Sequence, residues 1–295
     1  MYLQDGNIET TFLQMPSTDP DAPVKKEITT VNIGTQGWNY DAWVGPFFPV
    51  NTRAPDFLSV YSRAFSTVEV DSTFYGVPAA TTFQSWFDRT PADFVFSLKL
   101  PQEVTHEQRL RDTSGVSEEF YERARLLGTK LGPILVQLGP SFDPGELPAL
   151  VDFIGKIPDD LRVAVEFRHR GWLNEGVVAF LRDRGIALAL VEGRWFPRRL
   201  MLALAARPTA DFAYIRWMGP NRDLVDYSRV QVDRTREVEA WTRAMLEMRG
   251  GVNDIFGYVA NTFSGHSPAT ARDLQRRMGQ RPVDPDLLGD QLSLF

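Results

Sequence analysis

Three histidines, and a set of charged residues at alternate positions in otherwise apolar runs, are the side chains of this chain whose types and spacing could do chemistry. The histidines are His106 in LPQEVTHEQRL, His169 in EFRHRGW and His266 in NTFSGHSPAT, and each follows a β-like run. Imidazole titrates near neutrality and ligates metals, so three at one rim suit acid/base or divalent-metal work. In VEVDST, Glu69, Asp71 and Thr73 share one face and Val68 and Val70 the other, because side chains alternate along a strand. Glu166 and Arg168 likewise oppose Val165 and Phe167. Ser97 and Lys99 alternate with Phe96 and Leu98, Gln137 lies between Val136 and Leu138, and Arg216 between Ile215 and Trp217. Convergence of Glu69, Asp71, Glu166 and Glu192 would raise a carboxylate pKa or invite a divalent cation, unless Arg168, Arg216 and Lys99 neutralise them. The competing reading is an internal salt-bridge network that closes a core.

The elements that must position these residues are short β-rich runs separated by amphipathic stretches. The runs are VNIGT (31–35), FSTVEVDSTFY (65–75), FVFSLKL (94–100), PILVQLG (133–139), RVAVEFR (162–168), IALALVE (186–192), FAYIRWM (212–218) and DIFGYVAN (254–261). Between them SEEFYERARLLGTKLG, LPALVDFIGKI, NEGVVAFLRDRG and REVEAWTRAMLEMRG carry apolar residues at helical spacing. Eight β-then-α units over about 250 residues predict an α/β fold of the TIM-type (β/α)8 barrel, a single domain over 31–279. Each charge falls late in its strand, so the pattern predicts a polar pocket at the C-terminal mouth. A doubly wound sheet would want a glycine-rich phosphate turn after its first strand, and GTQGW is not GxGxxG; no nucleotide cofactor is predicted. P-loop, zincin and nucleophile-elbow motifs are also absent.

Composition narrows the function classes. The 295 residues carry 32 Lys plus Arg against 38 Asp plus Glu, a net charge of -6, which is unlike a protein that coats DNA non-specifically. With no cysteine there is no disulfide, thiolate metal site or cysteine nucleophile. No signal-like start and no apolar run near 18 residues is visible, so no membrane is expected and the protein reads as cytoplasmic. Residues 1–30, polar and with Pro16, Pro20 and Pro23, read as a mobile extension.

Against these residues the chain resembles a known family. GTQGWNYDAWVGPFFP, VEVDSTFYGVPAATTFQSWFDRTPADFVFSLKLPQEVTHEQRL, LGPILVQLGPSF, AVEFRHRGW, FAYIRWMG and GHSPATA are similar, in order, to the YecE-like proteins, catalogued as domain of unknown function 72. The resemblance spans about Val31 to Met278 and implies a TIM-type barrel whose activity is unassigned. The family's recurrent polar positions fall on Thr35, Gly37, Trp38, Glu69, Thr73, Phe74, Tyr75, Lys99, His106, Glu166, Arg168, His169, Gly265 and His266. Gln36 stands where serine is usual, and Asp71 where asparagine is usual. Rim aromatics, Trp38, Tyr40, Trp43, Phe47, Phe74, Tyr75, Trp172 and Trp217, would pack loops or stack on a planar ligand.

The chain ends QLSLF, after the proline-punctuated stretch QRPVDPDLLGD. Residues 280–295 read as a flexible linker and a terminal peptide that resembles the bacterial sliding-clamp binding motif, with Gln291, Leu292, Leu294 and Phe295 as its contacts. The alternative is that these apolar residues fold back on the barrel. Taken together, the sequence predicts an enzyme, a hydrolase or lyase acting on a phosphodiester or sugar phosphate, tethered to the sliding clamp and through it to DNA. Catalytic work is assigned to Glu166, Arg168, His169, Lys99, His266 and Glu69. Substrate binding is assigned to Thr35, Trp38, Asp71, Thr73, Tyr75, His106, Arg216 and Asn261, with a divalent metal ion as the cofactor such a site could use. The rival readings are a small-molecule sugar or sugar-phosphate isomerase or lyase, and a non-catalytic clamp-associated binding module.

Overall fold

The computed structural model describes residues 29–220 and 223–289. All strands pair in parallel: β1 (Thr30–Gln36), β2 (Thr67–Val70), β3 (Val95–Lys99), β4 (Leu131–Gln137), β5 (Val163–Glu166), β6 (Ala187–Leu188), β7 (Leu190–Gly193), β8 (Phe212–Gly219) and β9 (Asp254–Val259). Their order in the sheet is β6-β5-β4-β3-β2-β1-β9-β8-β7. The two ends of that order are pieces of one strand, interrupted only at Ala189, whose N–H donates to the Val165 carbonyl of β5 at 2.9 Å. The sheet therefore closes on itself as the eight-unit barrel expected, with the sixth strand broken in two.

The helices α1 (Phe57–Ala64), α2 (Ala80–Asp88), α3 (Ser114–Ala124), α4 (Leu147–Gly155), α5 (Glu175–Asp183), α6 (Arg198–Ala205), α7 (Thr235–Met248), α8 (Asn261–Ser264) and α9 (Ser267–Arg277) lie between the strands. Their local causes are legible. In α7, Val238, Trp241, Thr242, Met245 and Met248 recur at three- and four-residue steps and are the buried face. Helix α5 starts where the Asn174 side chain accepts the Val177 N–H at 3.1 Å, a capping bond that satisfies one of the first-turn donors. Helix α3 ends short of its sequence pattern, because Gly128 adopts φ 49 and breaks the following 3-10 stretch.

Alternation in the strands sorts two cores. One face of the sheet, with Ile33, Val68, Phe96, Val136, Val165 and Ile215, packs on the helices. The other encloses a separate cluster of Leu135, Ala164, Ala187, Ala189, Phe212, Tyr214, Phe256 and Tyr258. Glu192 belongs to the first face: its carboxylate accepts from Trp241 Nε1 at 2.7 Å and Arg198 Nε at 2.8 Å, among the helices. It does not converge with the other acids, because it shares the outward parity of Leu188 and Leu190, while Ala187 and Ala189 face the inner cluster.

Residues 281–289 correct the picture of a loose linker. A 3-10 turn at Pro285–Leu288, capped by Asp284, lies against α1 with Leu288 buried, and Arg63 donates to the Leu288 carbonyl. Gln280 Nε2 donates to the Val31 carbonyl at 2.6 Å. Apolar Val283 and Leu288 supply the burial that the prolines alone conceal. Residues 291–295, and all but the last two of 1–30, lie outside the described residues. Among the described residues no helix is long and apolar enough to cross a membrane.

Candidate functional site at the C-terminal mouth

Five of the inward polar residues form one hydrogen-bonded chain, four of them charged. Arg216 on β8 grips Glu69 on β2 through two hydrogen bonds, Nε to Oε2 at 2.8 Å and Nη2 to Oε1 at 2.6 Å, and its Nη1 bonds Glu166 on β5. Glu166 Oε1 in turn accepts from Arg168 Nε at 2.8 Å, and the Tyr214 hydroxyl donates to Glu69 at 2.7 Å. Glu69, Glu166 and Arg216 are fully buried. Burial alone would raise the Glu166 pKa, but the charges of Arg216 and Arg168 outweigh it and hold the carboxyl at about 2. Burial would likewise weaken protonation of Arg216, and Glu69 and Glu166 push it well above its usual value instead. The expected repulsion among carboxylates is thus relieved, because Arg216 lies between Glu69 and Glu166 and Lys99 pairs with Asp71. Glu166 is a fixed anion that aims Arg168, with no proton to exchange near neutrality.

Beside this chain, Lys99 Nζ pairs with Asp71 Oδ1 at 3.0 Å and sits 3.6 Å from the centre of the Phe74 ring. Burial lowers the Lys99 pKa, Asp71 opposes that shift, and the nearby Arg216 adds to it. Thr73 is buried and donates to the Lys99 carbonyl at 2.6 Å, so it holds the strand end and contacts no open space. His106 stands edge-on to Phe74 at 5.1 Å. Its Nδ1 lies 2.8 Å from the Thr105 hydroxyl, which itself donates to the Pro101 carbonyl. Burial lowers the His106 pKa first, and Lys99 and Arg168 lower it further, so the imidazole is uncharged at neutral pH.

The loop that carries His106 is strained. It leaves β3 through a π-turn at Glu103–Glu107, then places Arg109, Leu110 and Asp112 at φ 52, 63 and 53, where side chains are disfavoured. Arg109 and Arg111 hold it by pairing with Glu146, and Arg109 also bonds the Ser141 carbonyl at 3.0 Å. Sequence reasoning missed this clasp. Its only signal was the density of arginine just after His106 in HEQRLRD.

Other expected site residues serve the frame. Thr35 faces α1, with its hydroxyl 2.9 Å from the Tyr61 hydroxyl, because it has the outward parity of β1. His169 accepts the Gly171 N–H through Nδ1 and caps a short turn. His266 is buried against Trp43 and bonds the Tyr227 carbonyl at 2.8 Å. Asn261 accepts from Ser267 and from Trp43 Nε1. The three histidines therefore occupy separate local networks. Among the described residues no group of three or more His, Asp or Glu side chains is arranged to hold a metal ion.

Two openings flank the charged centre. A cavity of about 150 Å³ is lined by Glu166, Arg168, Arg194, Trp195, Gly219 and Thr262. Gly219 has φ 70, and a β-carbon there would meet the Thr262 carbonyl oxygen at 2.5 Å, so only glycine lets β8 end against α8. On the opposite side, a groove of about 700 Å³ runs along Trp38, Tyr40, Asp71, Tyr75, Trp86 and Arg89. Trp38 is braced edge-on by Trp86 at 5.7 Å, whereas Tyr75 is 73% exposed.

Residues 32–291 match the family described as Protein of unknown function DUF72. The chain belongs to the DUF72 family. It is 30% identical over 156 residues to UPF0759 protein YecE of Escherichia coli strain K12, a match that covers 53% of this chain and 55% of the relative, so it spans about half that relative's length. It is 24% identical over 272 residues to UPF0759 protein YunF of Bacillus subtilis strain 168, covering 83% of this chain and 93% of YunF. A crystal structure of a DUF72 family protein from Thermotoga maritima superimposes with a TM-score of 0.73 at 26% identity, covering 85% of this chain and all of that one. A DUF72 structure from Enterococcus faecalis, with a TM-score of 0.68 at 18% identity over 86% of this chain and 99% of its own, shares the fold. The DUF72 fold is thus a TIM-like α/β barrel in this chain too.

Proposed function

We propose that this protein is an enzyme that takes a phosphate-bearing substrate at the C-terminal mouth of the barrel, as a hydrolase or lyase of a phosphodiester or sugar phosphate. The observation that carries the reading is the allocation of charge. Glu69 and Glu166 are occupied by Arg216, so the acids form a neutralised floor. Above it Lys99 and Arg168 offer cations, and Arg168 also lines a small cavity with Glu166, Trp195 and Thr262. His106 supplies an uncharged imidazole, the form a general base requires. In this reading Lys99 and Arg168 hold the phosphate, His106 accepts a proton from water or substrate, and Glu166 positions Arg168. His169 and His266, first assigned to catalysis, are positioning and packing residues.

The test is a thermal-shift and activity screen of the full-length protein against inorganic phosphate, a generic phosphodiester and a set of sugar phosphates. Phosphate compounds should raise the melting temperature of the native protein and leave that of Arg168→Gln unchanged. Turnover of a responding compound should fall at least 100-fold in His106→Asn, the order expected for loss of a positioned acid/base group. A protein indifferent to every phosphate compound would end this reading.

The terminal QLSLF supports recruitment to a bacterial sliding clamp, and so to DNA. Leu288, three residues before Gln291, is buried against the barrel wall. Binding of the full chain to the clamp from the same organism, compared with a chain ending at Asp290, tests this part separately: loss of binding with the five residues supports it, and equal behaviour of the two chains refutes it.

A further inference from the structure

The groove beside Asp71 is not used by the chemistry proposed above, and it is the largest opening described. Its wall is aromatic, with Trp38, Tyr40, Trp86 and Tyr75, and its charged members are one carboxylate and one guanidinium. The guanidinium, Arg89, is turned toward the Pro55 carbonyl. The carboxylate, Asp71, stands at the junction with the mouth, one oxygen on Lys99 and its side chain one-third exposed. Proceeding from the mouth outward, the order is therefore cation, carboxylate, aromatic wall.

That order excludes some ligands and fits one class. A second phosphate in the groove would face Asp71. A purely apolar ligand would leave Asp71 without a donor on its open side. A ligand with a phosphate at one end, hydroxyl donors in the middle and a flat ring at the other end satisfies each part in turn. The carboxylate, an acceptor only, suits a vicinal diol, and the rings suit a base, since every base has a π-face to stack. The groove's volume is within the range that small-molecule sites occupy. We propose that the groove is the nucleoside subsite of the mouth, and that the ligand class is a nucleoside monophosphate with its phosphate toward Lys99, its ribose hydroxyls on Asp71 and its base against Trp38, Tyr40 and Tyr75.

The proposal rests on the phosphate reading and is tested so that the two can fail separately. Binding of the four common ribonucleoside monophosphates, ribose 5-phosphate and inorganic phosphate to the full-length protein is measured by calorimetry, with tryptophan fluorescence as a second readout because Trp38 and Trp86 line the groove. At least one mononucleotide should bind ten-fold or more tightly than ribose 5-phosphate and quench the fluorescence. Tyr75→Ala, at an exposed position that leaves folding intact, should remove most of that advantage without weakening ribose 5-phosphate. Asp71→Asn should weaken ribose 5-phosphate relative to inorganic phosphate. Equal affinity for all the mononucleotides and ribose 5-phosphate would overturn the nucleoside subsite while leaving the phosphate reading standing. Absence of binding by every phosphate compound would overturn both.

Discussion

The barrel interior holds two arginine–carboxylate arrangements, one at each end, and they solve different problems. At the entry end of the strands Arg162 pairs with Asp254 at 2.8 Å, with its guanidinium 4.4 Å from the Phe212 ring centre and 5.1 Å from that of Phe256. Both partners keep contact with solvent, and the pair lids the apolar cluster beneath it. At the exit end Arg216, Glu69 and Glu166 have no such contact. A buried network of this kind gives little net stability over an apolar core, because desolvation of each ion offsets the attraction. At the mouth it also fixes the direction of Arg168, through the Glu166 carboxylate, whereas the lower pair only covers the apolar cluster.

The comparison breaks most clearly if Arg216 is removed. Arg216→Met strands two buried carboxylates and should cost roughly 3–5 kcal/mol, read by urea denaturation. Arg162→Ala, at the half-exposed lid, should cost about 1 kcal/mol from the ion pair and ring contacts together. Similar losses for the two would show that the upper network is no more tightly bound than the lower one.

Acid sharpens the same contrast. The folded pKa of Glu166, about 2, lies below its ordinary value of 4.5. Its contribution is therefore complete above pH 4.5 and is lost as pH falls from there toward 2, on the order of 3 kcal/mol over the range. Glu166→Gln should remove that part of the acid dependence. A native protein whose stability stays level from pH 4.5 down to about 3 would contradict the pairing.

How much of this was legible in the sequence follows from what each residue answers to. The eight units and the inward placement of Glu69, Ser97, Lys99, Glu166 and Arg216 follow from strand parity, a local rule that tertiary packing did not override. Glu192 and Thr35 failed because the same rule was not carried along their strands: Glu192 shares the outward parity of Leu188 and Leu190, and Thr35 that of Ile33. Pairing between distant strands, such as Arg216 with both Glu69 and Glu166, has no sequence period at all. The histidines misled because position after a strand says that a residue is near the rim but not which way its ring turns. The docked residues 281–289 were hidden by prolines, which end regular structure without preventing burial of Leu288.

The smallest effect expected separates the two buried-leaning histidines from the carboxylate network. His106 is lowered from the ordinary 6.5 by burial and then by Lys99 and Arg168, and His266 by burial, which its bond to the Tyr227 carbonyl opposes. A histidine whose folded pKa is depressed binds fewer protons when folded than when unfolded. Its contribution is therefore complete above about pH 6.5 and declines as pH falls below it. Melting temperature should drift downward as pH falls below 6.5, before Glu166 begins to titrate. His106→Asn should lose only part of that drift, since His266 remains. The same substitution should also remove the part of the pH dependence of phosphate binding that exceeds the anion's own protonation if His106 faces the bound anion, because protonation there would add a third cation beside Lys99 and Arg168. A phosphate affinity that rises on acidification equally in the native protein and in His106→Asn would place His106 outside the site and leave Lys99 and Arg168 as its only assigned members.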